Sequence, residues 1–289
     1  MMAPRRPADP YLLLAPTLGL LTLFFFYPLA YAALTSLYAW DLLTPPRYVG
    51  LGHYRSLFAS GEITRVLLNT GLYSVVVVVL SMALGLMLAL ALRGPGRIVA
   101  FVRSAVFSAY VVSWVSVALL FTWMLDADNG LVSAVVRGVG LQPLDWLGDP
   151  RVALTTLALV TVWKIAGYSM VLFIAGLQDI PPSLREAAAL DGAGDWRSFW
   201  HVTWPLLRPT AAFVGTTSLI ATFQAFDIVR VMTQGGPVSA TTVFVYAIYE
   251  QIFMNLRVGR ASAEVMIFFV LLLGLTAFQL WAWRYRARA

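Results

Sequence analysis

The chain has 289 residues, 60% hydrophobic and only 12% charged, where an ordinary soluble domain carries about a quarter charged residues. It contains no cysteine, which excludes disulfides, thiolate metal sites and a cysteine nucleophile. The net charge of +6 is carried almost wholly by arginines beside apolar runs, a pattern that anchors a chain to membrane lipid headgroups rather than to nucleic acid.

A bilayer crossing needs about 20 apolar residues. Stretches of that kind fall at 11–37, 66–92, 98–125, 152–178, 208–232 and 262–283, which predicts an all-α membrane protein of about six transmembrane helices. The first stretch has the Arg5-Arg6 preamble and Ala30-Tyr-Ala32 site of a signal peptide, but its apolar part is too long for one and is read as a retained span. Loop arginines are in modest excess on the side of the N-terminus, which predicts that both termini and the segment between the fourth and fifth spans are cytoplasmic. The tight Arg93-Gly-Pro-Gly-Arg97 turn pairs the second and third spans antiparallel.

Loops 38–65 and 126–151 then face outward, with aromatics such as Trp40, Tyr48, Trp123 and Trp146 near the span ends. Their aspartates lack EF-hand spacing and its closing glutamate, so no metal site is read there.

Between the fourth and fifth spans runs a polar module, Glu186-Ala-Ala-Ala-Leu-Asp-Gly-Ala-Gly194, continuing to Pro205 and Pro209. Pro181 and Pro182 end the preceding helix, and Ser183 with Glu186 makes a capping-box pattern that predicts a short new helix. Gly192 and Gly194 allow a bend there, and Asp195 is placed to cap a further helix carrying Trp196, Phe199 and Trp200.

Several chemistries are missing. A P-loop needs a lysine between glycine and serine or threonine, but the single lysine, Lys164, stands between Trp163 and Ile165. His53 and His201 lie in loops on opposite sides, too far apart to share a zinc ion or a proton. No nucleophile elbow or His-Glu-x-x-His helix is present, so no catalytic residue is assigned and no cofactor is assigned to this chain.

Polar groups inside the bilayer are costly and therefore informative. Lys164 falls in the middle of the fourth span and Asp227 in the fifth, with Ser218, Thr222 and Gln224 nearby and Tyr168 one turn beyond the lysine. Two readings stand open. Lys164 either lines a solute pathway with these residues or is paired inside the bundle with a carboxylate or a carbonyl.

The module at 186–209 resembles the EAA loop, by which permease subunits of bacterial ABC importers hold their ATPase. Val231-Met-Thr-Gln-Gly-Gly-Pro237, Thr241-Thr-Val-Phe-Val-Tyr246, Tyr249-Glu-Gln-Ile-Phe253 and Gly259-Arg-Ala-Ser-Ala263 are similar to the stretch between the last two spans of the carbohydrate branch, which includes the maltose and glycerol 3-phosphate uptake permeases. The resemblance covers Trp163 to the end and is consistent in span layout before that.

It implies an ATPase-coupling surface at Glu186, Ala187, Ala188, Asp191, Gly192, Ala193, Gly194 and Pro205, and solute contacts at the matching positions Tyr168, Ser218 and Thr222; the polar residues inside the spans add Lys164, Gln224 and Asp227 to the expected pathway, Lys164 standing where some sugar permeases have an uncharged residue. It further implies a second permease subunit, two cytoplasmic ATPases that bind ATP and Mg, an external solute-binding protein, and a place in the bacterial inner membrane. The chain then divides into an N-terminal span with its outer loop (1–65), a permease core (66–285) holding the coupling loop 179–208, and a cytoplasmic tail (286–289). An ion-coupled secondary transporter using Lys164 and Asp227, or a membrane scaffold, are the alternatives.

Overall fold

The computed structural model describes residues 9–286; Arg5, Arg6 and tail residues 287–289 lie outside the described residues. In chain order the elements are α1 (Asp9–Leu21), a π-helical turn (Thr22–Phe26) and α2 (Tyr27–Thr35), then strands β1 (Tyr38–Ala39) and β2 (Arg47–Tyr48). The strands pair antiparallel, with Tyr38 opposite Tyr48. Next come α3 (Gly52–Ala59), α4 (Glu62–Ala91), α5 (Arg97–Val111), α6 (Trp114–Met124), α7 (Leu131–Gly138) and α8 (Ala153–Gln178). After them lie α9 (Pro182–Leu190), α10 (Asp195–Ser198), a second π turn (Phe199–Thr203), α11 (Trp204–Phe223) and α12 (Phe226–Met232). The chain closes with α13 (Phe244–Tyr249), a third π turn (Glu250–Met254) and α14 (Val258–Arg286).

Four stretches, Leu14–Thr35, Glu62–Ala91, Ala153–Gln178 and Val258–Gln279, are long and apolar enough to cross a bilayer unbroken. The other two expected spans are bent pairs: α5 and α6 meet at 98°, and the helices up to Phe223 meet α12 at 45°. At the first break Val112 and Ser113 are extended, with ψ of 142° and 140°. Neither break contains glycine or proline, so apolarity runs through both without a local stop signal.

The described residues form two compact units, one made of those up to Thr64 together with those from Ala247 on, the other of Arg65–Tyr246. In the first, α14 packs on α2, α3 and β1. Its polar centre is Glu62, which accepts hydrogen bonds from Gln251 Nε2 at 2.8 Å and from Arg260. Arg260 also donates to Ser56 Oγ at 3.2 Å.

In the second unit α8 is the axis, with α5, α11 and α12 packed on it. Helix α8 buries residues on every side, which explains why its apolar pattern shows no single face. Gly167 permits a close approach of α5: a β-carbon there would run into the Val106 carbonyl and stand 2.9 Å from Phe107 Cα. In lipid, where apolar burial gives little driving force between helices, such close packing and interhelical hydrogen bonds hold spans together. Helix α4 supplies several of those bonds. Tyr73 bonds Thr161 on α8 at 2.6 Å, Ser74 bonds Thr222 on α11 at 2.9 Å, and Ser81 donates to Ser218 at 3.3 Å. Thr70 Oγ1 accepts from the Phe244 N–H, while Asn69 donates to the Ser239 and Thr242 carbonyls. A cluster including Met170, Phe173, Leu177, Leu207, Ala211 and Val214 fills the space between α8 and α11.

Candidate functional site

The polar module folds as a helix, a sharp turn and a second helix. Helix α9 begins with Pro182 in its first turn, where a missing N–H costs nothing, behind an extended Pro181 (ψ 129°). The capping box expected from Ser183 and Glu186 does not form, because the helix already starts at Pro182, with Pro181 as its N-cap, and Ser183 is inside it. At the other end the Gly192 N–H donates to the Ala189 carbonyl at 3.1 Å, and the Ala193 N–H to the Ala188 carbonyl at 2.9 Å. These are the two bonds of a Schellman motif, which requires positive φ at its pivot. Gly192 supplies it, at φ +78°. The alanines at 187–189 thus propagate the helix, Asp191 caps it, and glycine turns the chain.

Gly194, not Asp195, is the N-cap of α10; Asp195 lies in the first turn, where its charge complements the helix dipole without a capping bond. Pro205 falls in the first turn of α11, just after the π turn. Around the Gly192 turn Leu190 is 90% exposed and Trp196 75% exposed. Beside them opens a cavity of about 660 Å³ lined in part by Arg93, Glu186, Ala189, Ala193, Asp195, Trp196 and Phe199. Trp196, Trp200 and Trp204 continue from it as edge-to-face contacts at 5.7 and 5.9 Å.

A second, smaller cavity of about 200 Å³ lies among α5, α8 and α11, lined by Tyr110, Ile165, Tyr168, Thr217, Ser218, Ile220, Ala221 and Gln224. Three of the residues singled out in the sequence, Tyr168, Ser218 and Gln224, share it. The Tyr168 ring stacks on Tyr110, centroids 4.7 Å apart and planes 15° apart. Thr222 is turned away and buried, bonded to Ser74 and to the Leu219 carbonyl.

Lys164 is also outside the cavity lining. It is 1% exposed, and its ammonium donates to the carbonyls of Ala109 (3.2 Å), Tyr110 (3.1 Å) and Val112. The Trp114 ring lies 4.7 Å from the same nitrogen. Asp227, half-buried in the first turn of α12, does not pair with it: the salt bridges among the described residues join Arg151 to Asp149 and Arg260 to Glu62.

Tyr110 and Thr217 were not among the expected pathway residues. Thr217 was legible, since 217, 220, 221 and 224 recur at helical spacing on one face. Tyr110 has no local signal; it enters the cavity because α5 packs on α8 and its ring stacks on Tyr168.

In the loop at 126–151 the aspartates close turns. Asp126 accepts from the Asp128 and Asn129 N–H groups. Asp149 is held below the usual carboxylate range by the Arg151 N–H and then by the Arg151 side chain.

Residues 78–283 match the family model described as the binding-protein-dependent transport system inner membrane component. The chain is similar to the sn-glycerol-3-phosphate transport system permease protein UgpA of Agrobacterium fabrum, 35% identical over 276 residues that cover 93% of this chain and 92% of the relative. The sulfoquinovosyl glycerol transport system permease protein SmoG of the same organism is 32% identical, covering 92% of this chain and 87% of the relative. Among solved structures, a subunit of a bacterial ABC transporter involved in the import of the acidic polysaccharide alginate has the same fold, with a TM-score of 0.81, 24% identity, and coverage of 95% of this chain and 94% of that one. With the family model covering most of its length and curated relatives matching nearly all of it, the chain belongs to the binding-protein-dependent transport system inner membrane component family.

Proposed function

We propose that this chain is one permease subunit of an ATP-driven ABC importer for a sugar, a polyol or a glycerol 3-phosphate-like solute. The observation that carries the reading is the surface around the Gly192 turn. Leu190, Trp196 and Trp200 are left uncovered beside a rigid Schellman motif and a large cavity, and exposed apolar surface of that kind marks a place for another chain. That chain is a cytoplasmic ATPase subunit, one of two that bind ATP and Mg. A second permease subunit completes the path, and an external solute-binding protein delivers the solute. The sequence offers no P-loop, since its single lysine stands between Trp163 and Ile165, and ATP hydrolysis is therefore assigned to the partner.

The pathway runs past Tyr168, Ser218 and Gln224, joined by Tyr110 and Thr217. Hydroxyl and amide groups beside aromatic rings suit the polyhydroxylated solutes named for the relatives, sn-glycerol 3-phosphate and sulfoquinovosyl glycerol. The mechanism is alternating access in the bacterial inner membrane, with both termini and α9 in the cytoplasm. ATP closes the ATPase pair, α9 moves with it, and the core spans change the side to which the pathway opens. Coupling of this kind requires that the ATPase bind the two permease states with different free energy, and α9 is where the difference is transmitted. The ion-coupled alternative needed a Lys164–Asp227 pair, and that pair is not formed.

Affinity purification of the tagged chain from its native host, followed by identification of stoichiometric partners, tests the proposal. An ABC ATPase retained by the native chain and lost on Leu190→Asp with Trp196→Asp is the expected result; a chain that purifies alone from intact membranes contradicts it.

A further inference from the structure

We infer that Lys164 is a positioning residue: it caps the carbonyl end of α5, fixes Tyr110 against Tyr168, and leaves the pathway cavity without a charge from this chain. The inference rests on the pathway reading above.

The last carbonyls of a helix have no partner within it, and inside a membrane no water can supply one. Helix α5 ends at Val111 and the chain turns through 98° into α6, so the carbonyls of 109, 110 and 112 are left to converge on α8. An ammonium carries three N–H donors and no acceptor. All three are taken by those carbonyls, and the remaining face of the charge rests near the Trp114 ring at the start of α6. No donor of Lys164 is left for a solute. One group on α8 therefore holds the end of α5, the break and the first residue of α6.

The consequence for the cavity follows from helical spacing. Tyr168 is four residues beyond Lys164, on the same face of α8. Tyr110 is thus gripped twice from that face, its carbonyl by Lys164 and its ring by Tyr168. The cavity wall made by the two rings depends on a residue that never lines it. Every residue that does line it is uncharged. The cavity accordingly recognises the neutral, hydroxyl-bearing part of a solute through ring contact and hydrogen bonds, and the charge of an anionic solute is met by another chain of the assembly.

The absence of native cysteine allows a direct test. In the importer reconstituted with its partner subunits, Ala221→Cys reports on the cavity wall and Ser60→Cys on an exposed outer loop, each read by the rate of modification with N-ethylmaleimide. Lys164→Met is expected to speed modification at 221 by about five-fold or more and leave that at 60 unchanged, as local opening of one wall requires. Tyr110→Ala should have the same effect, and the double variant should exceed neither single one, because both act through one wall. An unchanged rate at 221, an equal rise at 60, or additive rises would each overturn the inference. If Lys164→Met does not accumulate, Lys164→Gln is read in the same way; failure of both would make the lysine a purely structural residue and overturn the inference too. Protection of the cysteine at 221 by maltose or sn-glycerol 3-phosphate checks the pathway reading separately, and its absence counts against that reading alone.

Discussion

Tyr73 on α4 and Thr161 on α8 are both fully buried and share a hydrogen bond of 2.6 Å between their hydroxyls. With Ser74–Thr222 and Ser81–Ser218 it makes α4 a hydrogen-bonding spine for α8 and α11, two of the three helices that line the cavity. Tyr73→Phe keeps the ring and removes one partner. The expected cost is about 1 kcal/mol, the range measured for interhelical bonds in membranes, read as a lower thermal midpoint of the purified protein in detergent. An unchanged midpoint would show that Thr161 finds another acceptor at no cost.

Gly192 is the pivot of the α9 turn, at φ +78°. A β-branched residue there is strained by about 1–3 kcal/mol, while a β-carbon would meet no atom within 4 Å. Gly192→Val is therefore expected to insert and accumulate but to distort the turn, lowering solute-stimulated ATP hydrolysis in proteoliposomes. Native stimulation would contradict the coupling role given to α9.

Glu250, in the π turn before α14, has its carboxyl pushed above the ordinary value of 4.5 by burial and then by the Glu62 carboxylate. The folded chain holds that proton more tightly than the unfolded chain. Its contribution to stability is thus fully present below pH 4.5 and lost as pH rises through the raised value. Glu250→Gln, which keeps the uncharged shape, should raise the thermal midpoint near neutral pH and change it little below the ordinary value. A lower midpoint near neutral pH would show that the ionised carboxylate is stabilising where it sits.

The orientation proposed from loop arginines predicts that Ser60→Cys reacts with a membrane-impermeant maleimide added to intact cells while Ser198→Cys does not. Reaction at 198 from outside, with none at 60, would invert the topology and remove α9 from the reach of a cytoplasmic ATPase.

What the sequence made legible was local. The spans were readable because about 20 consecutive apolar residues have few other uses, and the turn at Gly192 because alanines, aspartate and glycine fall in the order a helix with a Schellman end requires. The breaks after Val111 and Phe223 were hidden, since apolarity continues through them. Lys164 was conspicuous, but its role could not be read. The carbonyls it caps lie more than 50 residues away and are exposed only by the break. The same limit hid Tyr110 and the polar face of α4, whose serines and threonines look like ordinary intramembrane residues until their partners on α8 and α11 are known. Assignment of α14 to one unit with α2 and α3 is likewise long-range packing, with no signature in either segment.

Transport through this chain is proposed to be driven by ATP hydrolysed in a partner rather than by an ion gradient. Uptake of radiolabelled maltose, glycerol and sn-glycerol 3-phosphate into proteoliposomes, with the external binding protein and partner subunits present, tests it most directly. Accumulation of at least one probe that needs internal ATP, survives proton and sodium ionophores, and stops when the ATPase is inactivated is the predicted result. Accumulation driven by an imposed proton or sodium gradient without ATP would contradict it.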